Sequence, residues 1–131
     1  MPTKSLIAII DDDESVRLAL QSLMRSVGLA AQGFASAADF LASGDTTRVA
    51  CVILDVNMPG MTGLALHRQL VASGHPIPTI LITGNPDDAT RAEALRERVL
   101  CYLCKPFAED DLLAWLNVAL GGSAPGGAKP I

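Results

Sequence analysis

The stretch "IAIIDDDESV", Ile7 to Val16, decides how the rest of the chain is read. Four apolar residues, three of them isoleucine, run into three consecutive aspartates, Asp11, Asp12 and Asp13. An apolar run without polar alternation reads as a strand covered on both faces, the habit of parallel sheets flanked by helices. Like charges repel, so three carboxylates at the end of such a strand need a reason to be there.

Working outward, buried runs and helical patterns alternate. "SLIAII" is the first strand. From Asp13 to Val27, Val16, Leu20, Leu23 and Val27 recur at helical spacing, and Gly28 stops the helix. "LAAQGF" is a weak second strand, and Ser36 can cap a short helix from Ala37 to Leu41. "VACVIL", 49–54, is a strongly buried third strand, followed by the helical "TGLALHRQLVAS", with Leu64, Leu66, Leu70 and Val71 apolar and Thr62 as N-cap. "IPTILIT", 77–83, is the fourth strand, and residues 87–97 form an Ala- and Arg-rich helix. "LCYLC", 100–104, is a short fifth strand, and residues 109–120 form a last helix with Leu113, Leu116 and Leu120 on one side. Five βα units with doubly covered strands predict an α/β protein with a doubly wound parallel sheet. The tail "GGSAPGGAKPI", 121–131, is too rich in Gly, Pro and Ala to pack and reads as a linker or frayed end, leaving 1–120 as one domain.

The 131 residues suit one domain, and half of them are apolar. A net charge of −4 argues against a nucleic-acid-binding surface on this chain. No apolar run approaches the roughly 20 residues that span a bilayer. The N-terminal apolar run is short and meets acids at once, unlike a secretory signal. Three cysteines, Cys51, Cys101 and Cys104, form no disulfide framework, so a reducing cytoplasm is the expected home.

In a doubly wound sheet, ligands bind beyond the carboxyl ends of the strands. Four of the five predicted strands end in chemically active residues: Asp11 and Asp12, Asp55, Thr83 and Lys105. If the first and third strands are neighbours, three carboxylates converge, and their repulsion is tolerable with a cation among them. Oxygen ligands suit a hard Mg²⁺, and with no His or Cys among Asp11, Asp12, Asp55, Thr83 and Lys105 zinc does not fit. An ammonium and a hydroxyl opposite such a cation suit a phosphoryl group, and Asp55 is the candidate nucleophile.

"IIDDDE", "LDVNMPGMTG", "ILITG" and "YLCKPF", in this order, closely resemble the receiver domain of two-component response regulators, from about Leu6 to Leu120. The resemblance implies a flavodoxin-like (βα)5 sheet in strand order 2-1-3-4-5. It implies Asp55 as phosphoacceptor, with Mg²⁺ held by Asp11, Asp12, Asp55 and the backbone carbonyl of Asn57. Thr83 and Lys105 match the switch hydroxyl and the phosphate-binding lysine. Tyr102 matches an aromatic that turns inward on activation, and the Lys105–Pro106 bond is expected to be cis. A sensor histidine kinase is the implied phosphoryl donor. The implied output is a switched surface of fourth helix, fifth strand and fifth helix, used by a phosphorylation-dependent homodimer or a downstream protein, with Trp115 as an anchor at its edge. Such a chain is a switch, not a turnover enzyme. One departure stands out: Arg98-Val99 replaces the family's usual Gly-Ala, so the end of the fourth helix is expected to be remodelled.

Other readings compete. A pseudo-receiver that never takes phosphate would have lost pocket residues, and all five are present here. An aspartyl-phosphate phosphohydrolase needs a second acid two residues after its nucleophile, where this chain has Asn57. Asp13 reads as the acid favoured at a helix N-terminus rather than a metal ligand. Cys101 and Cys104, three apart on a strand, should point to opposite sides. His67 in a helix and His75 in a loop have no partner evident in the sequence. "DDDESVR" and "CKPF" are similar to receivers that carry helix-turn-helix outputs. A free-standing receiver and one cut from a longer regulator both remain open.

Overall fold

A computed structural model describes residues 6–121 except positions 45, 59, 75 and 86. The tail beyond Gly121, His75 and the proline of the "PG" turn therefore lie outside the described residues. Ten elements alternate: β1 (Leu6–Ile10), α1 (Glu14–Ser26), β2 (Ala30–Phe34), α2 (Ala37–Ala42), β3 (Val49–Asp55), α3 (Gly63–Ala72), β4 (Thr79–Thr83), α4 (Asp88–Arg96), β5 (Cys101–Cys104) and α5 (Glu109–Ala119). The strands form one sheet in the order β2-β1-β3-β4-β5, and every pair is parallel. This is the doubly wound flavodoxin-like arrangement that the alternation and the resemblance imply.

The period of two along each strand divides the core into two layers. Ile7, Ile9, Ile53, Ile80 and Ile82 face one side, with Leu20 and Met24 of α1 and Leu112, Trp115 and Leu116 of α5. Ala8, Ile10, Val52, Leu54 and Leu81 face the other, with Phe40 of α2, Leu66 and Leu70 of α3 and Ala94 of α4. The run at Ile7–Ile10 is apolar throughout because both faces are sealed.

Several helix ends follow local chemistry. Asp13 caps α1, its carboxylate accepting from the Ser15 N–H at 2.8 Å and the Val16 N–H at 3.4 Å. Ser36 caps α2 and Thr62 caps α3, each accepting from the N–H three residues on. The end of α4 is not remodelled. Arg98 itself takes the left-handed conformation, φ 60°, while the Val99 N–H reaches back to the Ala94 carbonyl at 3.2 Å. That geometry is the glycine-type stop, imposed on an arginine.

The packing corrects four expectations. Val27 lies past the end of α1 and is exposed, and Met24 fills the core place instead. Val71 on α3 is exposed. On α5 the buried face is Leu112, Trp115 and Leu116, and Leu120 is exposed. Trp115 is only 5% exposed and belongs to the core, so it is no surface anchor.

Candidate phosphoryl site

The sheet order brings the sequence-selected residues to one edge. β1 lies beside β3 with Ile10 opposite Leu54, so Asp11 and Asp55 emerge side by side. β4 and β5 follow, with Thr83 opposite Cys104, which places Thr83 and Lys105 next in line. The Val56 N–H donates to the Ile82 carbonyl at 2.8 Å, and the Lys105 N–H to the Thr83 carbonyl at 2.8 Å, which fixes these strand ends against one another.

Carboxylate oxygens of Asp11, Asp12 and Asp55 all lie within 4.8 Å of one another. Asp11 is 1% exposed, Asp55 is buried and Asp12 is exposed. Asp11 Oδ1 accepts from the Asp13 N–H at 2.9 Å. Its Oδ2 is buried and makes no hydrogen bond among the described residues, with Lys105 Nζ at 3.5 Å as its counter-charge. Burial holds the Asp55 carboxyl above the ordinary carboxylate range, and the Asp11 charge adds to this. The Asn57 N–H, the Lys105 ammonium and the exposed Asp12 act more weakly, the first two downward and Asp12 upward. A buried carboxylate oxygen without a hydrogen bond, facing two further carboxylates, is an unmet demand for positive charge. An all-oxygen donor set of this kind fits a hard divalent cation.

Asn57 links two parts of the site. Its N–H donates to Asp55 Oδ1 at 3.3 Å and its side-chain amide to Thr83 Oγ1 at 3.4 Å. The Thr83 hydroxyl oxygen also accepts from the Asn85 N–H at 3.0 Å. Tyr102 is buried on β5, and the Arg91 guanidinium lies 5.4 Å from the ring centroid. The Lys105–Pro106 peptide is cis. Cys101 is buried and Cys104 half-buried, and all three thiols are free.

Sequence reasoning missed two residues that shape the pocket. Arg17 of α1 donates to the Asp11 carbonyl at 2.7 Å and steadies the acidic turn. Gly63, first residue of α3, approaches β3 so closely that a Cβ there would stand 2.7 Å from the Asp55 carbonyl oxygen. Its place eight residues after Asp55, at the end of "LDVNMPGMTG", was the available signal.

Fold, sheet order and acidic edge together define a receiver domain. The family model for the response regulator receiver domain matches residues 7–117, and the chain belongs to that family. The chain is 42% identical over 116 residues to the response regulator protein TodT of Pseudomonas putida, covering 88% of this chain and 51% of TodT. It is 38% identical over 129 residues to the transcriptional regulatory protein FixJ of Azorhizobium caulinodans, covering 98% of this chain and 61% of FixJ. The crystal structure of FixJ-N matches with a TM-score of 0.82 at 30% identity, over 93% of this chain and 98% of that one. The chain thus spans about half to three-fifths of the length of these curated relatives. Among the described residues, no helix is long and apolar enough to cross a membrane.

Proposed function

We propose that this receiver accepts a phosphoryl group on Asp55 from a sensor histidine kinase and switches a protein-interaction surface in response. The observation that carries the reading is the cluster Asp11–Asp12–Asp55, with one buried oxygen lacking a hydrogen bond and Lys105 Nζ 3.5 Å from it.

An Asp55 oxygen attacks phosphorus, forming an acyl-phosphate O–P bond as the P–N bond to the donor imidazole breaks. Asp11, Asp12, Asp55 and the Asn57 carbonyl would hold Mg²⁺, which supplies charge neutralisation for the phosphoryl oxygens. Lys105 offers its ammonium to another of those oxygens. The Thr83 hydroxyl turns to donate to the third, giving up its link to the Asn57 amide. Arg17 and Gly63 keep the acidic turn and the end of β3 in place. The chain processes no external substrate beyond its own phosphoryl group, so it acts as a switch in a two-component phosphorelay, in the reducing cytoplasm that its free thiols suit.

The α4–β5–α5 face is the proposed output, open to a phosphorylation-dependent homodimer or a downstream protein. With Trp115 buried, Leu95 of α4, 51% exposed, is the large apolar side chain that α4 presents to a partner.

Intact-mass measurement after incubation with acetyl phosphate tests the reading. The mass should rise by one phosphoryl group with Mg²⁺ and not without it, and Asp55→Asn should abolish the gain. The same gain in that variant would refute the assignment.

A further inference from the structure

α4 is held unevenly along its length. At its N-terminal end, residues 84, 85 and 87–89 are exposed, and Arg91 lies over the Tyr102 ring. At its C-terminal end, Ala94 and Val99 are buried, and α3 reaches across with two consecutive side chains. Arg68 donates to Glu93 at 2.6 Å and pairs with Glu97 at 3.0 Å, on the surface. His67 is buried: its Nε2 is 2.8 Å from the Glu97 carbonyl and its Nδ1 is 2.9 Å from the Thr79 hydroxyl.

The proton positions follow from the partners. A carbonyl only accepts, so Nε2 carries a proton and donates to Glu97. Thr79 Oγ1 is also 2.9 Å from the Ile77 carbonyl, so its single hydroxyl proton lies between that carbonyl and Nδ1. Thr79 opens β4, the strand that ends in Thr83. The imidazole therefore ties the C-cap of α4 to α3 and to the start of β4. A leucine of similar size could fill the space, but apolar contact is non-directional, whereas hydrogen bonds fix an orientation.

We propose that His67 is a positioning residue for the output helix: it pins the C-terminal end of α4, so that displacement begun at Thr83 swings the N-terminal end about this point. This rests on the reading of Asp55 as phosphoacceptor. At 1.5 Å per residue a helix of this length is roughly 13 Å long, so a swing of about 10° moves its far end by roughly 2 Å. The exposed first turn and Tyr102 beneath Arg91 lie at that moving end.

Amide hydrogen exchange on the full chain, with and without Mg²⁺ and beryllofluoride, tests this. In the wild type, beryllofluoride should raise exchange at 88–92 and leave 94–99 protected. His67→Leu should raise exchange at 94–99 about tenfold without any ligand, the effect of losing about one net hydrogen bond. His67→Gln, which keeps a donor for the Glu97 carbonyl, should restore most of the protection. The Nε2–H should appear as a slowly exchanging imidazole signal in the wild type. His67→Leu should still take a phosphoryl group at the wild-type rate, because His67 lies outside the pocket. If His67→Leu does not fold, Thr79→Val keeps the imidazole, removes the hydroxyl with its contacts to Nδ1 and to the Ile77 carbonyl, and should loosen 94–99 by roughly threefold. Unchanged protection in these variants, or an equal rise at both ends of α4 in the wild type, overturns the pivot while leaving Asp55 in its role. A wild type in which beryllofluoride alters nothing at 11–13 and 55–58 overturns the phosphoacceptor reading itself, and the swing with it.

Discussion

Replacing Asp55 by asparagine should stabilise the metal-free protein, although it removes the residue proposed to carry the chemistry. Carboxylate oxygens no more than 4.8 Å apart repel by at least about 3.5 kcal/mol at an effective dielectric constant of about 20. Lys105, 3.5 Å from Asp11, and the Asn57 N–H on Asp55 offset part of this. The substitution keeps an oxygen for the Asn57 N–H and replaces one of the mutually repelling carboxylates by a neutral amide. A net gain of about 1–3 kcal/mol follows, or roughly 4–12 °C in melting temperature for a domain of this size. The pH dependence has a definite sign. Folded Asp55 holds its proton more tightly than the unfolded value of 3.8, so between that value and the raised one the folded state binds more protons. Stability from this group is therefore present at low pH and lost as pH rises through that interval, and the Asp55→Asn advantage grows in step. Calorimetry in chelator at several pH values measures it. Adding Mg²⁺ should then raise the wild-type melting temperature more than that of the variant. A variant that melts at or below the wild type in chelator at neutral pH would refute the electrostatic account.

Three other substitutions probe the scaffold. Gly63→Ala should cost about 1–3 kcal/mol by forcing a methyl against the Asp55 carbonyl, and should slow phosphoryl uptake measured by mass. Arg98→Gly should stabilise by about 0.5–1 kcal/mol in urea unfolding, since relief of a left-handed arginine exceeds the added freedom of the unfolded chain. Trp115→Ala should cost about 3–5 kcal/mol, as a truncated core aromatic does, a loss that urea unfolding would read and that a surface anchor would not produce.

Four of the five strand ends were legible in the sequence because the apolar run stops abruptly at an acid, a hydroxyl or a lysine. Asp11, Asp55, Thr83 and Lys105 could be placed on one edge before any distance was known. Helix phase was harder. "EDDLLAWLNVAL" admits an apolar stripe through Leu113, Leu116 and Leu120 or one through Leu112, Trp115 and Leu116, and only packing against the sheet selects the second. Val27 followed the period of α1, but the helix ends one residue earlier and the side chain falls into solvent. The partners of His67 are 12 and 30 residues distant, beyond any local pattern. Arg98 shows a tertiary demand overriding local preference, since the turn into β5 needs a left-handed residue whichever residue stands there.

The three thiols differ in a way that gives the molecule a built-in chemical handle. Cys51 and Cys101 are sealed in the layer under α1 and α5, and burial pushes both thiols up to about 12. Cys104, half-buried and one residue before Lys105, is the least buried of the three cysteines. A maleimide or spin label applied to the native protein should attach first at Cys104, beside the pocket. The two sealed thiols would react only as the sheet opens, so the same reagent, followed over time, becomes a clock for unfolding.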